Sequence, residues 1–167
     1  TTFDSTGGIN LGANIASAGL VSVANSIVTL SADAQISGVG INLDEIITDT
    51  NDDHILTLVA GAGNIVIDDN VGVNGGNVVS GLVITSAGDV TFSGAAATVD
   101  LGSDGLVGTS ITGDLEFDAA ANMSGVFDVN VATLTLDAAL TTTGANNILI
   151  TNTGVADLNA LLTSGGT

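Results

Sequence analysis

Two stretches of this sequence carry residue types that could do chemistry. Asp49, Asn51 and Asp53 alternate with Thr50 and Asp52, a D-x-N-x-D spacing that can place oxygens around a hard cation, for which Ca2+ is the natural ligand. The loop is not an EF-hand, because its sixth position is His54 rather than Gly and its twelfth is Ala60 rather than Glu. The Gly-Gly-x-Gly-x-Asp calcium repeat is absent, and a second acidic string, Asp68-Asp69-Asn70, has no second half. The first set reads either as a Ca2+ site or as a solvated acidic loop. His54 is the one side chain of a type that titrates near neutrality. Nucleophilic catalysis needs an oriented base in a pocket that excludes water. An imidazole inside an acidic string is expected in an exposed loop instead.

Other chemistries are excluded by what is missing. The 167 residues include eighteen carboxylates, one histidine and no lysine or arginine, for a formal net charge of −18. Phosphate clamps and counterion release need basic residues, so nucleic-acid binding is excluded, together with a basic patch for membrane surfaces. No Gly-rich string is followed by Lys-Ser or Lys-Thr, which removes the phosphate-cradling loop. Carboxylate pairs could cleave acidic polysaccharides, but an anionic sugar would find no cation on the protein. No catalytic residue is assigned, and a non-enzymatic protein is expected. Asn122-Met123-Ser124 fits a glycosylation sequon.

Acidity alone would suggest disorder, yet 45% of the residues are hydrophobic, and disorder requires low hydrophobicity as well as charge. With no Trp, Tyr, Cys or Pro and only four Phe, the core must be built from Val, Ile, Leu and Ala. No apolar run reaches the length of a membrane span. The chain opens on Thr1 without an initiator Met, as expected of a processed product or an excised segment.

The elements that must position these residues are short strands. Ile9-Asn10-Leu11, Ile65-Val66-Ile67 and Ile148-Leu149-Ile150 are among many bursts of period-two alternation bounded by turn formers. Five bursts read as copies of one pattern, apolar-polar-apolar-variable-small: Val28 to Ala32, Leu56 to Ala60, Val90 to Gly94, Leu115 to Ala119 and Leu134 to Ala138. Their third positions fall at 30, 58, 92, 117 and 136, a loose repeat of the kind a solenoid shows when its turns carry loops of different length. Leu30, Leu58, Ile67, Phe92, Phe117 and Leu136 are the expected core ladder. Between Phe127 and Leu136 the alternation changes parity across Ala132-Thr133, which reads as a corner between two strands of one turn.

The expected fold is all-β, a right-handed parallel β-helix (β-solenoid), with an antiparallel β-sandwich as the alternative. Residues 1–8 read as an N-terminal arm or linker, 9–154 as the solenoid and 155–167 as a C-terminal cap. The three-and-four apolar spacing of Val155 to Leu162 suggests a short capping helix.

The strings Leu56-Thr57-Leu58-Val59-Ala60-Gly61-Ala62-Gly63-Asn64-Ile65-Val66-Ile67 and Gly81-Leu82-Val83-Ile84-Thr85-Ser86-Ala87-Gly88-Asp89-Val90-Thr91-Phe92 resemble the repeat regions of large bacterial exoproteins and adhesins of the filamentous-haemagglutinin and autotransporter type. The resemblance covers roughly residues 25 to 151. It implies a secreted β-helical fibre serving adhesion, surface coating or matrix building. The function expected is that of an extracellular, cell-surface structural protein whose partners are copies of itself in a head-to-tail homopolymer, with host or matrix glycans as further partners. Two other readings stay open: a carbohydrate-binding module acting through Ca2+ on Asp49, Asn51 and Asp53, and a pilus or surface-layer subunit polymerising by strand donation.

Overall fold

A computed structural model describes residues 1–3, 5, 7–50, 53–72, 78–94, 97–143 and 147–165. Every strand pairing it contains is parallel, and the strands stack as a β-solenoid of about seven turns. The antiparallel sandwich is thereby excluded.

Each turn visits three faces. The first face is built from β1 (Thr2–Phe3), β4 (Val21–Val23), β7 (Ile41–Leu43), β10 (Ile65–Ile67), β12 (Val90–Phe92), the end of β13 (Thr98–Phe117), the end of β15 (Phe127–Leu136) and β18 (Ala156–Leu158). The second holds β2 (Ile9–Leu11), β5 (Ile27–Leu30), β8 (Glu45–Thr48), the start of β13, β14 (Ala120–Met123), β16 (Leu140–Thr142) and β19 (Leu162–Ser164). Val71 bridges β8 to β13 there. The third holds β3 (Ile15–Ala16), β6 (Ala34–Ser37), β9 (Ile55–Val59), β11 (Val79–Ser86), the middle of β13, the start of β15 and β17 (Ile148–Asn152). Counted on the first face, successive turns take 20, 20, 24, 25, 25, 19 and 22 residues.

All six residues expected in the core ladder are buried. Ile67, Phe92, Phe117 and Leu136 stand in register, one above another, on the first face. Leu30 and Leu58 belong to files on the second and third faces. The repeat steps of 25 and 19 are therefore true turn lengths, whereas the larger steps jump between faces. Phe92 and Phe117 stack with ring centroids 4.6 Å apart and 11° between planes, and Phe127 meets Phe117 edge-on at 6.0 Å.

The parity change at Ala132-Thr133 is a corner, turned without a break in β15: Phe127 to Val131 pair with β17, and Leu134 to Leu136 with β18. The expected C-terminal helix is not formed. Residues 156–158 and 162–164 are strands that extend the first and second faces by one turn. Three-and-four spacing arose there because a corner between two short strands shifts parity, as it does at Ala132. At the other end, Thr2 and Phe3 already pair with Ser22 and Val23.

The corner leading into the first face shows why Gly-Asx recurs before its strands, as Gly63-Asn64, Gly88-Asp89 and Gly113-Asp114. Asn64 Oδ1 accepts the Asp89 amide at 3.1 Å, and Asp89 Oδ1 accepts the Asp114 amide at 3.1 Å, so each side chain caps the turn above it. The glycine has to be small: a Cβ at Gly63 would lie 1.8 Å from the Val39 carbonyl oxygen. Gly63→Ala is expected to force a backbone shift costing about 1–3 kcal/mol, a fall in Tm of roughly 2–10 °C. Gly19→Ala, whose Cβ would meet nothing within 4 Å, should leave Tm nearly unchanged in the same thermal melts.

Candidate functional site

Alternation places Leu115 and Phe117 inside and turns Asp114 and Glu116 outward at the end of β13, with Asp118 exposed just beyond it. One turn on, Asp137 occupies the position equivalent to Asp118. The Asp118 amide donates to the Phe92 carbonyl and the Asp137 amide to that of Phe117, both at 3.0 Å. Parallel stacking thus sets two aspartates over one another beside Glu116, and the three carboxylates offer oxygens that all lie within 4.8 Å of each other. Ligand oxygens about 2.4 Å from one Ca2+ are at most about 5 Å apart, so this all-oxygen group has the dimensions and hardness for a divalent cation.

Like charge dominates the electrostatics of this face, relieved at Asp137, whose Oδ1 accepts from Asn159 Nδ2 at 2.8 Å. Burial raises the Glu116 carboxyl above the ordinary glutamate range, and Asp118, Asp137 and Asp114 raise it further. Glu45, at the corner after the first face, is raised in the same way, by burial first and then by Asp69 and Asp44. No lysine or arginine exists to offset either.

The acidic string read from the sequence is arranged differently. Asn51 and Asp52 lie outside the described residues. Asp49 and Asp53 flank the imidazole of His54: Asp49 Oδ1 is 3.4 Å from Nε2 and Asp53 Oδ1 is 3.4 Å from Nδ1. Far from being exposed, the His54 side chain retains 13% of its accessibility, and its buried Nε2 has no hydrogen-bond partner among the described residues. The β9 strand that follows it is drawn into the third face by Leu56 and Leu58, and His54 is drawn in with them. Asp68 and Asn70 serve as corner caps, accepting from Ser93 Oγ at 2.7 Å and from the Thr98 amide at 2.9 Å.

The Glu116, Asp118 and Asp137 group was legible in principle. In the repeats Leu115-Glu116-Phe117-Asp118 and Leu134-Thr135-Leu136-Asp137, both aspartates occupy the fourth position, and only the certainty that these two copies are consecutive turns of one face was missing.

No family model, no curated protein and no solved structure matches this chain.

A carboxyl whose folded-state pKa is raised supports folding below its unfolded value, and that support is lost as pH rises through the folded value. Glu116 and Glu45 therefore make the protein more stable toward pH 4.5 than at pH 7. Glu116→Gln is expected to raise Tm at pH 7 and to narrow the gap between melts at pH 7 and pH 5. Thermal unfolding followed by circular dichroism at the two pH values checks both signs.

Proposed function

We propose that this protein is a non-enzymatic structural building block of an extracellular, cell-surface fibre or adhesin, and that it assembles end to end with copies of itself. The observation that carries this reading is where the charge lies. Of the seven carboxylates that lie in strands, six are in β8, β13 and β15, and the strands of the first and last turns, β1 to β3 and β17 to β19, contain only Asp157. Among the described residues each of the six pairs on one side only. The flanks repel one another, whereas the ends offer the edges of parallel strands and apolar side chains, with Leu158 and Leu161 exposed at one end and Phe3, Ile9 and Ile15 partly buried at the other. Open strand edges of this kind invite edge-to-edge addition. A chain without lysine or arginine also offers trypsin no cleavage site, which suits an exposed, long-lived material.

The carboxylate group on the first face favours a second reading, a Ca2+-dependent surface for host or matrix glycans, with Glu116, Asp118 and Asp137 in the role that the sequence suggested for Asp49, Asn51 and Asp53. It requires saturable glycan binding that chelator abolishes and that Asp118→Asn with Asp137→Asn removes.

For end-to-end assembly, negative-stain micrographs at about 0.15 M salt, where screening falls to a length of about 8 Å, are expected to show concentration-dependent filaments. Leu158→Asp, which adds a carboxylate to the end turn, should abolish them while leaving the circular dichroism spectrum intact. Strictly monomeric rods at high protein concentration, with or without Ca2+, would overturn the reading.

A further inference from the structure

The third face differs from the other sides of the solenoid. Its outward files run Gln35, Thr57, Val83, Val107, Asp128, Leu149 and, beside them, neutral positions such as Ser37, Val59, Asn130 and Thr151. Asp128 is the only carboxylate among these outward strand positions. Among the described residues the other acidic groups near this face stand along its two borders, Asp33, Asp53 and Asp104 where the chain enters and Asp89 and Asp114 where it leaves. Val83 and Val107 lie near the middle of the file, each half-buried. Of the large apolar side chains left exposed, Leu149 is on this face, and Leu20, Val39 and Val155 are at the corner that follows it.

We infer that this third face is a lateral interface that pairs the solenoid with a second copy of itself, side by side. Charge selects the occupant. Two molecules at −18 each approach most closely where carboxylates are fewest, and along the flank this strip has Asp128 alone, whereas the outward strand positions of the first face carry Glu116 and Asp157 and those of the second carry Glu45 and Asp100. Area agrees: a strip five residues wide at about 3.3 Å each and seven strands tall at about 4.8 Å spacing covers roughly 500 Å² per copy. The pair would bury about 1,000 Å², at the lower limit for a specific interface. An apolar centre with a charged, solvated rim is also the usual anatomy of such a contact. Because the rim carboxylates of both copies are brought together, pairing strengthens with ionic strength.

This pairing deepens the fibre reading by making the filament two solenoids wide, but it stands on a different surface. Micrographs and sedimentation velocity of the 167-residue chain at about 0.05 and 0.5 M NaCl test it. Wild type and Thr141→Glu, a change on the second face, are expected to form particles two rods wide, more completely at high salt. Val83→Glu should give single-rod width. Thr85→Cys, folded first and then alkylated with a bulky neutral maleimide, should do the same without risk to folding. Single-rod filaments in wild type, or Val83→Glu and alkylated Thr85→Cys pairing as wild type does, would overturn the inference and leave end-to-end assembly standing. Two-rod particles without filaments would support the pairing and remove end-to-end assembly instead.

Discussion

Parallel hydrogen bonding from each turn to the next, at a spacing of about 4.8 Å, places like positions of successive turns over one another for the length of the molecule. Apolar positions profit from this, since Ile67, Phe92, Phe117 and Leu136 form one uninterrupted file. Charged positions do not. A carboxylate that recurs at one corner meets its own kind above and below, and this sequence has no lysine or arginine to place between them.

The fold handles that constraint in two ways. Where side chains at a corner can be made into acceptors for the next turn's amide, Asn and Asp become structural: Asn14, Asp33, Asn64, Asn70 and Asp89 each accept a backbone N–H one turn on. Carboxylates without such a role are pushed to the flanks, where Asp114, Glu116, Asp118 and Asp137 crowd a single region of the first face. The ends, with Asp157 as the one carboxylate of their strands, and the third face, with Asp128, are what remains. The surfaces proposed for assembly and the surface suited to cations thus follow from one distribution of charge.

Much of this was legible in the residues. Alternating bursts with aliphatic interiors identify a solenoid, and the parity change at Ala132-Thr133 locates a corner. Three things were not. Short apolar triplets look alike on all three faces, so the pattern sets Leu30 and Leu58 with Phe92 although they stack in other files. The spacing of Val155 to Leu162 mimicked a helix because strand-corner-strand geometry in a short turn also brings apolar residues three and four apart. The burial of His54 depends on β9 entering the third face beside β11, whose Ser80 amide donates to the His54 carbonyl, a contact between turns that no local pattern announces.

Turns stack along the axis on which, in the proposed fibre, molecules also associate. X-ray fibre diffraction from aligned filaments tests this directly. A strong reflection near 4.8 Å along the fibre axis is expected, because strands of every turn lie across it. The same reflection perpendicular to the axis, or its absence from well-aligned filaments, would show that turns and molecules do not share one axis.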